Sequence, residues 1–213
     1  MEKKSNEKIK PAREKNKEKS KEQFLNAVGE ILQTKGYAAL KINDVAATAR
    51  LDKKLIYRYF GGFDQLLDEY VLSKDFWSNV KGEKVPSIIE DGGKDFLKQM
   101  FQNQFDTLEH NIELQKILLW RLSQQRNSLT KLTKEQENVG EQIFASMVDP
   151  HFNGKSETFR AICAILVSGL YYLNMSTAHN STTFCGIDLE DKKGRNQIKK
   201  AIDFIVEQTY DNL

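Results

Sequence analysis

Three prolines in 213 residues leave little to interrupt helices. Two cysteines, Cys163 and Cys185, make neither a disulfide framework nor a metal-binding spacing. The three histidines, His110, His151 and His179, have no ligand partner at metal spacing, and no Glu-x-x-His pair suggests a di-iron bundle. A glycine-rich phosphate loop, a nucleophile elbow and a paired-cysteine motif are all missing, so no catalysis and no cofactor is expected. The most apolar run, Ala161 to Leu173, falls short of the ~20 residues that cross a bilayer and reads as a buried helix. The first 22 residues lack the apolar segment of a secretory signal. These absences point to a cytoplasmic protein with no membrane partner and reduced thiols.

What is present is charge, unevenly spread. Residues 1–21 hold nine Lys/Arg against four Glu, whereas residues 22–213 hold 23 Lys/Arg against 26 Asp/Glu. A basic arm ahead of an acidic body is a layout common among nucleic-acid binders, although a solvated tail has the same composition.

Apolar residues set the helices. Phe24, Ala27, Val28, Ile31 and Leu32 recur at three and four, predicting a helix over Lys21–Lys35 with Ser20 as cap and Gly36 as stop. A second, shorter helix is expected over Lys41–Ala49, capped by Asn43, with Val45 and Ala46 inward. The stretch LDKKLIYRYFGGFDQLL then holds a very short helix, started by Asp52 and ended by Gly61 or Gly62. Ile56 and Phe60 anchor one side of it. Lys54, Leu55 and Arg58 face the other way, with Tyr57 and Tyr59 on the flanks. So small a helix needs a cradle, and the two preceding helices supply one, making a helix-turn-helix unit. Further helices are expected from Asp64 to Val80, Lys94 to His110, Glu113 to Gln125, Lys134 to Val148, Ser156 to His179 and Asp191 to Asp211, with a loop and short turn between the last two. The expected fold is all-α, a three-helix helix-turn-helix domain followed by a larger helical body. The expected divisions are a basic flexible arm (1–19), the helix-turn-helix domain (20–63) and the larger helical body (64–213).

The exposed face of the short helix suits the major groove of DNA, which admits one helix and offers base edges to Lys, Arg and apolar side chains. Lys54, Leu55 and Arg58 are the candidate base readers. Tyr57 and Tyr59 are candidate phosphate donors, and Lys53, in the first turn, is placed to reach either bases or phosphates.

The stretch GYAALKINDVAATARLDKKLIYRYFGGFDQLL resembles the N-terminal module of the TetR family of one-component transcriptional regulators. Gly36, Tyr37, Ile42, Val45, Ala46, Ala49, Leu51, Tyr57, Phe60 and Leu66 carry the resemblance, over about residues 20–72. It departs from the family pattern at Arg50, in place of the usual turn glycine, at Phe63, in place of a lysine, and at Lys41, in place of a threonine. An Arg50 at positive φ is strained, so either the turn is less tight or Arg50 adds a phosphate contact. The resemblance implies a regulator, a repressor, that binds a palindromic double-stranded operator as a homodimer and is released by a small ligand; Lys41 and Asn43 join the candidate DNA contacts. A helical protein that binds a lipid or small molecule, with an N-terminal unit that does not read DNA, is the alternative.

Two further sites are expected in the body. Phe101, Phe105, Leu108, Trp120, Met147 and Tyr171 are candidate lining for a small apolar ligand, since such pockets are rich in aromatics. Ile165, Ser168, Gly169, Tyr172, Ile198, Ile202 and Ile205 are candidate dimer-interface residues, because both last helices are apolar over a wide arc and the family pairs its last two long helices.

Overall fold

Helix dominates the computed structural model, which describes residues 12–74 and 91–213. The elements are α1 (Ala12–Lys35), a 3₁₀ turn (Tyr37–Ala39), α2 (Ile42–Ala49), α3 (Lys54–Phe60), α4 (Phe63–Leu72), α5 (Lys94–His110), α6 (Ile112–Ser123) and α7 (Asn127–Ile143). A π-helical turn (Phe144–Val148), α8 (Asp149–Phe152), α9 (Ser156–His179), β1 (Thr183–Phe184), β2 (Ile187–Asp188) and α10 (Lys192–Asn212) complete the order. The expected continuation of α4 to Val80, and residues 1–11 of the basic arm, lie outside the described residues.

The chain divides into two compact units. One comprises the described residues 12–74 together with Leu119–Thr130; the other comprises the described residues 91–118 with Lys131–Leu213. The segment Leu119–Thr130, from α6 and α7, thus belongs to the N-terminal unit, and α4 packs there too, against α1 and α3.

In the N-terminal unit Phe24, Val28 and Leu32 of α1, Val45 of α2, Ile56 of α3 and Leu66 of α4 are shut off from solvent. This is the apolar stripe foreseen from the spacing. However, α1 begins at Ala12 rather than near Lys21. Residues 12–20 carry no apolar period, yet they are Ala, Arg, Glu, Lys, Asn and Ser, mostly strong helix formers, and they prolong an existing helix at no nucleation cost. Ser20 is therefore inside α1, its Oγ donating to the Asn16 carbonyl (2.9 Å), and does not cap it.

In the larger unit α5, α9 and α10 enclose a core of Leu97, Phe101, Phe105, Met147, Phe159 and Ile202. Two polar knots, one half-buried and one buried, adjoin it. Gln104 and Gln136 both donate to the Tyr171 hydroxyl (2.6 and 2.9 Å). Arg195 lies over the Phe105 ring (3.9 Å), donates to the Phe105 carbonyl (3.1 Å) and pairs with Glu109 (2.9 Å). Burial lowers the pKa of its guanidinium from the ordinary value, and the carboxylates of Glu109 and Asp106 oppose that. Helix α7 starts at Asn127, well before Lys134, because Leu129 and Leu132 are buried, extending the apolar stripe upstream. The expected turn before α10 is a small hairpin, Thr183 opposite Asp188 and Phe184 opposite Ile187. Cys185 and Gly186 both take positive φ at its tip, the geometry that matches strand twist in a two-residue turn.

Candidate nucleic-acid interface

The short helix α3 is held by local bonds, by the buried Ile56 and by one edge-to-face ring pair. Asp52 Oδ1 accepts from the Lys54 amide (2.8 Å), satisfying one free donor of the first turn, as expected. Gly61, at φ 89°, closes the other end, its amide donating to the Tyr57 carbonyl (3.0 Å). Ile56 is fully buried, and Phe60 meets Phe24 edge to face, ring centroids 6.1 Å apart. Lys53, Lys54, Tyr57 and Arg58 are exposed, and Leu55 and Tyr59 are half-buried. The Arg58 guanidinium lies over the Tyr59 ring at 5.9 Å, which leaves Tyr57, 59% exposed, as the freer phenol.

Helix α2 sits across the turn. Its N-cap is Lys41, in extended conformation, so Asn43 lies within the first turn and does not cap it. Asn43 Oδ1 instead accepts from Lys53 Nζ (3.1 Å), which ties the start of α2 to the start of α3. Lys41 and Asn43 are both exposed. Arg50 ends α2 at φ 55°, ψ 40°, the left-handed conformation that glycine would adopt freely. The turn keeps its bonds all the same: the Arg50 and Leu51 amides donate to Ala47 and Ala46 (both 3.1 Å). The departure therefore costs strain without opening the turn, and it puts an exposed cation between α2 and α3.

One anchor of this unit was not foreseen. Arg126 donates to the Asp64 carboxylate (2.6 Å) and the Asp68 carboxylate (2.8 Å) of α4, with Ser128 adding a bond to Asp68 (2.7 Å). Trp120 stacks on Tyr37 (6.2 Å, 8° between planes), and the Arg126 cation lies over its ring (5.5 Å). No sequence signal marks a pair 58 residues apart.

Of the expected ligand lining, Phe101, Phe105, Leu108, Met147 and Tyr171 are all buried in the larger unit. Trp120 is buried in the N-terminal unit instead, where Tyr37 offers it a stacking partner. Of the expected interface, Ile165 and Tyr172 are 71% and 53% exposed, Ser168 and Gly169 are exposed, and Ile198 and Ile205 are half-buried. Ile202 is a correction: it is 1% exposed and belongs to the core, because it falls on the side of α10 that packs inward with Val206. Phe204, 65% exposed, was missed because it stands apart from the isoleucine stripe. Ile165, Ser168, Gly169, Tyr172 and Ile198 line an open apolar groove of about 770 Å³, walled by Phe184 of the hairpin. By length and composition Ser156–Ala178 of α9 is also able to cross a membrane, contrary to the expectation from the shorter apolar run. Uncharged Ser, Gly, Tyr, Asn and Thr extend the charge-free span beyond the strictly apolar letters.

Residues 24–70 match the N-terminal domain of bacterial regulatory proteins of the tetR family. No curated protein matches the chain significantly in sequence. A TetR-like transcriptional regulator from Rhodococcus sp. RHA1 shares the fold, with TM-score 0.63 at 13% identity, over 91% of this chain and 97% of that one. An assigned TetR-family transcriptional regulator from Rhodococcus sp. is similar at TM-score 0.60 and 16% identity, over 88% and 99%. Residues 24–70 thus carry the N-terminal domain of tetR-family regulatory proteins, and the chain as a whole shares its all-α fold with these two regulators.

Proposed function

We propose that the protein is a cytoplasmic transcriptional repressor, not an enzyme, that binds a palindromic DNA operator as a homodimer and releases it when a small apolar ligand enters the body. The observation that carries this reading is α3: Ile56 is wholly buried while Lys54, Tyr57 and Arg58, within the same two turns, are exposed. A helix so anchored presents cations and a phenol at the width of the major groove. Lys54, Leu55 and Arg58 are assigned to base edges. Lys41, Asn43, Lys53, Tyr57 and Tyr59 are assigned to the backbone, where contacts position the protein but carry no sequence information.

One reading helix makes few contacts, so two are needed, about one DNA turn, ~34 Å, apart. The uncharged outer side of α9 with Ile198 and Ile205 of α10 supports pairing there. Phe101, Phe105, Leu108, Met147 and Tyr171 remain the proposed ligand environment, with Gln104 and Gln136 as its polar groups. A ligand shifts the operator affinity only as far as it binds the two arrangements differently.

The test is binding to the DNA flanking the protein's own gene. Arg58→Ala or Lys54→Ala is expected to cost about 1–3 kcal/mol and to relax sequence preference. Tyr57→Phe is expected to weaken specific and unrelated DNA alike. A wild-type protein with no salt-dependent affinity for duplex DNA overturns the proposal in favour of a helical ligand-binding protein that no longer reads DNA.

A further inference from the structure

The hairpin between α9 and α10 is held firmly in place. Its tip is a tight turn, with Cys185 and Gly186 both at positive φ. Its base is closed by the Leu189 amide, which donates to the Thr182 carbonyl (2.8 Å), and the Leu189 side chain is buried. The first turn of α10 presses against β2: a Cβ built at Gly194 would lie 1.7 Å from the Asp188 carbonyl oxygen, so glycine alone allows this approach. So held, the hairpin sets the Phe184 ring edge-on to Tyr172 of α9, centroids 5.6 Å apart. Burial within the subunit does not account for this pair, because both rings stay open to solvent, Phe184 at 40% and Tyr172 at 53%.

We propose that the hairpin is part of the dimer interface: Phe184 and Tyr172 wall the apolar groove over α9, and a second copy of the chain fills it. This rests on the reading of the protein as a homodimer paired through α9 and α10, and it adds to that pairing an element outside the helices. The groove is continuous with the proposed pairing face, since Ile165, Ser168, Gly169, Tyr172 and Ile198 belong to both. Its lining carries no charge, so an acidic or basic partner finds no complement there. Its floor is made of the small residues Ala164, Ser168 and Gly169, which let another chain approach between the larger walls. The area also fits. At roughly 200 Å² per large side chain, the exposed fractions of Ile165 (71%), Tyr172 and Phe184 leave on the order of 300 Å² open on these three alone. Two copies bring about 600 Å² of the roughly 1,600 Å² that a standard interface buries, and the outer rows of α9 and α10 are left to supply the rest. Because the hairpin is fixed before pairing, little ordering entropy opposes association.

The chain carries its own reporter for the test. Cys185 is exposed at the hairpin tip and lines the groove, whereas Cys163 is buried. Full-length protein is taken through a concentration series in which sedimentation velocity gives the fraction of dimer, and the reaction of Cys185 with a small thiol reagent is timed at the same concentrations. The monomer rate is read at the dilute end of the series or, if the dimer persists there, from Gly169→Glu. The rate is expected to fall about tenfold or more from monomer to dimer, because the partner covers the thiol. Phe184→Ser takes one ring from each subunit and is expected to raise the dimer dissociation constant about 100-fold, tenfold per ring, with helix content unchanged by circular dichroism. Ile112→Ser, at an exposed apolar position outside the groove, leaves that constant unchanged. A dimer in which Cys185 reacts as fast as in the monomer, or a folded Phe184→Ser protein with an unaltered dissociation constant, overturns the role of the hairpin and leaves pairing through the helices standing. A folded Gly169→Glu protein that stays dimeric overturns the groove as an interface. A wild-type protein that sediments as a monomer at every concentration overturns the dimer itself, and the inference with it.

Discussion

Gly169→Glu is expected to split the proposed dimer while leaving the subunit folded. A Cβ built at Gly169 meets nothing within 4 Å, and the residue is exposed on α9, so the new side chain has room in the isolated chain. Glutamate is a better helix former than glycine by about 0.8 kcal/mol, so the monomer gains slightly. In the paired state the carboxylate faces an apolar groove with Ile165 and Tyr172 beside it and no cation among the lining residues. Taking an unpaired carboxylate out of water costs several kcal/mol after relaxation, here taken as about 3 kcal/mol. Two-fold symmetry places the same change on both subunits, for about 6 kcal/mol in all. At 1.4 kcal/mol per tenfold, the dimer dissociation constant rises by about 10⁴. Sedimentation velocity across a concentration series measures that constant, with far-ultraviolet circular dichroism to check the helix content. Gly169→Ala serves as the size control. A folded Gly169→Glu protein that sediments as an unchanged dimer refutes the placement of the interface on α9.

Three other outcomes are expected. Ile56→Ala removes the fully buried anchor of α3 and should cost about 2–5 kcal/mol in urea unfolding, with loss of DNA binding before global unfolding; an unchanged midpoint would mean that α3 is held by its caps and Phe60 alone. Glu207 accepts hydrogen bonds from Lys94 and Lys98, which hold its carboxyl down at about 2 from an ordinary 4.5. A depressed carboxyl contributes stability that is present above pH 4.5 and lost as pH falls from 4.5 toward 2, so Glu207→Gln should flatten the stability profile in that window, most clearly at low salt. Burial pushes the Cys163 thiol up to about 12, so a Cys185→Ser protein should be inert to thiol reagents at neutral pH and titrate one thiol after unfolding; rapid labelling of the native variant would show that Cys163 opens to solvent.

The sequence by itself determined what depends on near neighbours. The core stripe of α1, the Asp52 start and Gly61 stop of α3, and the bounds of α5 and α9 follow from bonds and spacings within a few residues, which the chain carries wherever it goes. The strained turn at Arg50 was also foreseeable, because a family position that wants glycine held a bulky residue. Only the tertiary structure decided matters of partner choice. Asn43 has the chemistry of a cap, but a lysine ten residues on claims its oxygen and α2 starts before it. Trp120 reads as pocket lining until Tyr37 stacks on it in the N-terminal unit. Ile198, Ile202 and Ile205 share a stripe in projection, yet packing against the core takes Ile202 and leaves the others partly open. Arg126 finds Asp64 and Asp68 across some sixty residues of chain, and nothing in its own neighbourhood announces them. Helix periodicity is a one-dimensional signal set by the backbone bond pattern, whereas which of two apolar faces is buried, and which charge meets which, is settled by whole elements competing for the same surface.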